Sequence, residues 1–177
     1  MKRIFFLSVF SVATIFMVSC KKDDNKNNTD ANTPNATDNS FMTSAAYANR
    51  SQIELGQLAL TTSSNDSVKI FAQRLVNSHT AAIASLDSLA AMYNATLPTA
   101  PDSTHTAIKD LLATYTGNTF DTAFINTEIR EQEALVTVYQ NEISSGNADN
   151  IQNYAASLLP TIQANQQLAD SVSAVLQ

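Results

Sequence analysis

A chain of 177 residues, 44% hydrophobic and 15% charged, is long enough to bury one good core and fits a single folded domain. Its single Cys excludes a disulfide framework and any Cys-based zinc finger, its three Gly leave little material for a phosphate-cradling loop, and sparse alternation of β-branched and aromatic residues disfavours an all-β sandwich. A formal net charge of −6 argues against nucleic acid as a partner, because nucleic acid selects a basic footprint.

Residues 1–19 read as a secretory signal peptide. Lys2 and Arg3 supply the positive start, and Ile4 to Val18 form an apolar run short of the roughly twenty residues that span a bilayer. The run stops at Met17-Val18-Ser19-Cys20, which resembles a bacterial lipobox, so Cys20 is the expected lipidation site. Two or more acyl chains on that residue would anchor the chain stably, where one would hold it only marginally. Lys21 follows the Cys in place of the Asp that resembles an inner-membrane retention signal, and Lys22-Asp23-Asp24 resembles the export signal of some surface lipoproteins. The expected location is therefore the cell envelope, as an outer-membrane lipoprotein facing the periplasm or the cell surface. Residues 20–40 hold almost no large apolar side chain and read as a disordered tether spanning roughly 25 Å. Asn35-Ala36-Thr37 matches a glycosylation acceptor, a pattern that arises by chance in so Asn- and Thr-rich a segment. Without residues 1–19 the chain has 8 basic and 16 acidic residues, so the lipid rather than a charged surface would attach it to the membrane.

From residue 41 to 177 the pattern is helical, and the fold class is all-α. The first long helix, about 41–63, places Phe41, Ala45, Ala48, Leu55 and Ala59 on one face, and Ser64-Asn65-Asp66 breaks it and supplies the next N-cap. The second, about 67–94, carries Val68, Ala72, Leu75, His79, Ala82, Leu86, Leu89 and Tyr93 in alternating steps of four and three. Pro98 and Pro101 end that region; a short helix follows over 103–115, with Gly117 as its C-cap. The third long helix, about 120–145, carries Ile125, Ile129, Gln132, Val136, Tyr139 and Ile143. The fourth, about 150–176, carries Ile151, Ala155, Leu158, Ile162, Asn165, Ala169, Val172 and Leu176. Four such helices, with the short helix in the connection between the second and third, predict an antiparallel four-helix bundle. Pro160 predicts a kink in the last helix, and Gly56 a close helix approach in the first.

Each seam has a polar interruption near mid-helix: Gln52 with Glu54 beside it, His79, Gln132 and Asn165. Mid-helix residues of an antiparallel bundle meet at one level, so these predict a buried polar layer, which must be internally hydrogen-bonded. The layer can fix helix register, as single buried polar residues do in coiled coils. Alternatively, Glu54 and His79 remain from a divalent-metal or ligand site, a carboxylate and an imidazole being sound ligands. Two ligands are few, Gln132 and Asn165 add only weak carbonyl oxygens, and no Glu-x-x-His pair occurs.

The stretches Ala46 to Ala59, Val68 to His79, Phe120-Asp121 with Phe124, and Leu159-Pro160 resemble the domain of unknown function 4142 family, an exported bacterial envelope family of the ferritin-like superfamily. The resemblance implies a ferritin-like four-helix bundle with no established activity. It also implies a Glu on the first long helix and a His on each of the other three. Glu54 and His79 match that pattern; Gln132 and Asn165 stand where the other two imidazoles would be.

Other chemistry is set aside. No G-x-S-x-G elbow occurs, and His105 reads as a surface-loop residue flanked by Asp102 and Asp110 as caps or solvated positions. Glu128, Glu131 and Glu133 read as an exposed acidic face, and Tyr47, Tyr93, Tyr139 and Tyr154 as core or core-edge aromatics. The sequence thus points to a non-enzymatic, lipid-anchored structural or binding module with no cofactor, an envelope-protein partner and no nucleic-acid partner. A metal-binding or redox protein using Glu54 and His79 is the alternative.

Overall fold

The computed structural model describes residues 32–176. The proposed signal peptide, Cys20 and residues 20–31 of the proposed tether lie outside that range. Five helices and no strand occur among the described residues: α1 (Ala36–Thr62), α2 (Asp66–Met92), α3 (Ser103–Leu112), α4 (Gly117–Ser145) and α5 (Asp149–Leu176). None of them is long and apolar enough to cross a membrane. The helices pack as a bundle in which α1 lies most extensively along α2 and α4 along α5; α1 also packs on α4, α2 on α5, and α3 on α1 and α4.

α1 starts five residues before the expected position, so residues 36–40 belong to the folded body and not to a disordered tether. The cause is a capping box. Asn35 Oδ1 accepts from the Asp38 backbone N–H (2.9 Å), and the Asp38 carboxylate accepts from the Asn35 N–H (2.7 Å). The segment 33–35 is also pinned to the α4–α5 turn, with Asn35 Nδ2 donating to the Ser145 carbonyl and Asn147 Nδ2 to the Thr33 carbonyl. Asn65 caps α2 through Ser67 and Val68, and Asp102 caps α3 through His105. Gly117 does not cap α3, which ends at Leu112; with φ of 56° it opens α4 in a conformation open to few residues but Gly.

The interior divides into two apolar clusters. One gathers Phe41, Met42, Ala45, Ile83, Leu86, Leu135, Tyr139, Ile151, Tyr154 and Ile162. The other gathers Leu55, Ala59, Phe71, Leu75, Phe120, Phe124, Ile125 and Val172. α1 passes from the first cluster to the second, α2 from the second to the first, α4 again from the second to the first, and α5 from the first to the second. Edge-on contacts of Phe41 with Tyr139 (5.0 Å between ring centroids) and stacking of Phe120 on Phe124 (5.8 Å) order the two ends. Gly56 sits where α1 and α2 meet: a Cβ there would lie 2.8 Å from Val76 Cγ2 and 3.0 Å from the Ala72 carbonyl oxygen. α5 runs as one helix through Pro160, whose position is exposed, so the carbonyl of Ala156 that lacks its helical donor can turn to water.

Candidate functional site

Between the two apolar clusters lies a band of buried polar side chains. On α1 it holds Asn49 and Gln52, on α2 His79, on α4 Glu128 and Gln132, and on α5 Asn165; each is at most 3% exposed. The band falls into two halves.

In the first half Gln132 Nε2 donates to Gln52 Oε1 (2.9 Å) and reaches Glu128 Oε2 at 3.5 Å. Burial pushes the Glu128 carboxyl up to about 8, helped by the negative charge of Glu131 one turn away; the amides of Gln132 and Gln52 oppose the shift without cancelling it. At neutral pH Glu128 is a neutral acid.

In the second half His79 Nδ1 lies 2.8 Å from Asn49 Oδ1. Asn49 Nδ2 donates to the Ala45 carbonyl (2.7 Å), which turns its oxygen toward the ring; the imidazole therefore carries its proton on Nδ1 and presents a bare lone pair on Nε2. Nε2 has no partner among the described residues. Burial holds the His79 pKa down at about 4, so the ring is neutral. Arg74 Nε donates to Asn165 Oδ1 (2.7 Å), and Asn165 Nδ2 donates to Ser78 Oγ (3.4 Å).

The structure therefore buries Gln52, His79, Gln132 and Asn165 at mid-bundle, but it does not bring Glu54 to them. Glu54 is over a third exposed and receives Lys109 Nζ at 2.6 Å, an ion pair that ties α3 to α1. Gln52, two residues earlier, takes the inward position, and Glu54 lies about 200° round the helix from it. The alternative Glu54–His79 metal pair is thus not assembled, and no group of three His, Cys, Asp or Glu able to hold a metal ion occurs among the described residues. Two further expectations are corrected. Glu128 belongs to the interior and not to an exposed acidic face, because its carboxyl can be buried as the neutral acid. His105 is no loose loop residue: it lies in the first turn of α3, with Nδ1 2.7 Å from Asp102 and Nε2 3.4 Å from Glu131 on α4. The Glu131 hydrogen bond and the Asp102 carboxylate raise its pKa against the pull of burial.

Sequence reasoning also missed a carboxyl pair at one end of the bundle. Asp38 and Glu142 are both fully buried. Burial pushes Asp38 up, but the N–H groups of Asn35, Asn147 (3.0 Å) and Ala148 (3.1 Å), together with Glu142, outweigh it and hold the carboxyl below its usual range. Glu142 goes the other way: burial, then the hydrogen bond to Asp38 and its charge, raise it to about 8. Gly146 packs close beside it: a Cβ there would collide with Glu142 Oε1 and lie 2.8 Å from the Glu142 carbonyl oxygen. The signal was present in the 3/4 stepping of α4: Asp121, Ile125, Glu128, Gln132, Leu135, Tyr139 and Glu142 follow the same alternation as the apolar seams.

The family model for "Domain of unknown function (DUF4142)" matches residues 24–172. The chain belongs to the DUF4142 family. This DUF4142 domain is also similar in structure to a DUF305 fragment from Deinococcus radiodurans, with a TM-score of 0.72 at 12% identity over 80% of this chain and 98% of that one, a likeness of fold alone. No curated protein matches the chain.

Proposed function

We propose that this DUF4142 protein is a lipid-anchored protein of the bacterial outer membrane, attached through Cys20 and facing the periplasm or the cell surface. Its body serves as a structural or binding module whose partner is another envelope protein. The four long helices form an antiparallel bundle of ferritin-like type, a reading supported by the opposite order in which α1 and α2, and α4 and α5, visit the two apolar clusters.

The observation that carries the module reading is the composition of the mid-bundle band. Its hydrogen bonds run between amides, a neutral imidazole and a neutral acid, and Arg74 at its edge is bonded to Asn165. Such a layer fixes register, because sliding one helix by a turn would set each polar group against an apolar cluster. The test has two parts. Metabolic labelling with a radiolabelled fatty acid and membrane fractionation should show label and membrane association that vanish in Cys20→Ser. Metal analysis of the dialysed protein should show no stoichiometric iron, zinc or manganese. Membrane association without label, or bound metal lost on His79→Ala, would overturn the reading.

A further inference from the structure

The face between α2 and α5 carries a shallow, open groove of about 680 Å³, whose lining includes Ile70, Arg74, Asn77, Ser78, Thr161 and Leu168. Ser78 and Thr161 also line a small inner cavity of about 10 Å³, whose lining includes His79, Asn49 and Asn165. Three independent features converge here. Arg74 is one of five Lys and Arg among the described residues and, like Lys69 and Arg130, forms no ion pair among them. Its guanidinium is aimed by the buried Asn165 oxygen, which occupies Nε and leaves the two terminal nitrogens for another acceptor. Ile70 is 68% exposed, one of four exposed large hydrophobics among the described residues, and it borders the same groove with Leu168. In the inner cavity the buried His79 lone pair has no donor among the described residues.

We propose that this groove binds a small amphiphilic monocarboxylate, its head on Arg74 and its aliphatic body along Ile70 and Leu168. A single guanidinium on a chain of net charge −6 suits one negative charge better than a phosphate dianion, which calls for further cations or a cluster of backbone N–H groups. The hydroxyls of Ser78 and Thr161 add neutral donors. The inner cavity has room for about one water, and a water there would donate one hydrogen to His79 Nε2 and the other toward the carboxylate, satisfying two acceptors at once. This deepens the binding-module reading and rests on it only for the word binding: membrane attachment through Cys20 can fail while the groove still binds.

The purified full-length chain is titrated with octanoate, octanol and octyl phosphate by calorimetry and by amide and guanidinium NMR. Octanoate should saturate, moving the signals of Arg74, Ser78 and Thr161, with octanol and octyl phosphate at least about tenfold weaker. Arg74→Gln should weaken octanoate at least about tenfold with the octanol affinity unchanged. Should that variant misfold, Ile70→Asp, at an exposed position, sets a carboxylate in the groove and should abolish octanoate binding without loss of fold. Octanol or octyl phosphate matching octanoate, octanoate that does not saturate by a few millimolar, or octanoate affinity unchanged in either folded variant would overturn the proposal.

Discussion

Glu128 and Glu142 are both fully buried on α4, and both are pushed to about 8, yet they are held there differently. At mid-bundle, Glu128 faces amides, and burial is the main cause, with Glu131 adding a charge from outside. At the bundle end burial is again the largest cause, but Glu142 also faces Asp38, whose own charge is stabilised by the N–H groups of Asn35, Asn147 and Ala148. A carboxylate that backbone donors keep ionised makes its neighbour the one to hold the proton. The first arrangement is a layer that tolerates an acid; the second is a clamp that uses one to join the start of α1 to the α4–α5 turn.

The largest expected effect sharpens that contrast. For both glutamates the folded pKa, about 8, exceeds the ordinary 4.5, so the stability they contribute is fully present below pH 4.5 and is lost as pH rises through 8. Glu128→Gln keeps the shape and removes the ionisation. It should raise unfolding free energy at pH 9 by on the order of 3–5 kcal/mol and leave it unchanged at pH 4, measured by urea denaturation. An equal gain at both pH values would show that the carboxyl is not buried as the acid. Next, Asp38→Ala strips the acceptor from three backbone N–H groups and should cost about 2–4 kcal/mol at pH 6. It should also bring the Glu142 pKa down toward the ordinary range, by carboxyl-resolved NMR, while Glu128 stays put. Movement of both would merge two regions that the structure keeps separate.

Smaller effects probe the packing around them. Gly56→Ala gains helix propensity but meets Val76 and the Ala72 carbonyl, and should still destabilise by about 1–2 kcal/mol in thermal unfolding. His79→Leu gives up one hydrogen bond and an orphaned Nε2, leaving Asn49 Oδ1 to find water; a net change within about 1 kcal/mol is expected. Loss of folding there would make the imidazole an organiser of the layer and not merely a tolerated member.

Helix positions were legible because apolar spacing and caps are local: all of the α2 seam from Val68 to Leu89 is buried as the 3/4 stepping requires. The start of α1 was not, since Asn35 and Asp38 sit in a composition that reads as tether, and only their reciprocal capping and the tertiary bonds to Asn147 and Ala148 make them structural. In the polar band, Gln52, His79, Gln132 and Asn165 could be read from interrupted seams; Asn49, off the expected stripe of α1, could not. The carboxylates of α4 stand at seam positions too, but a charge there looks like a solvated face until burial neutralises it, as at Glu128. Glu54 erred the other way: its type suggested a ligand, but Lys109, 55 residues away and in another helix, determines where it points.

The decisive measurement is the titration of Glu128 and His79 by NMR in the intact chain. Glu128 should titrate near pH 8, and His79 should remain the neutral Nδ1–H tautomer until pH approaches 4. A Glu128 midpoint near 4.5 together with a His79 midpoint near 6.5 would place both side chains in water and remove the buried layer from the molecule.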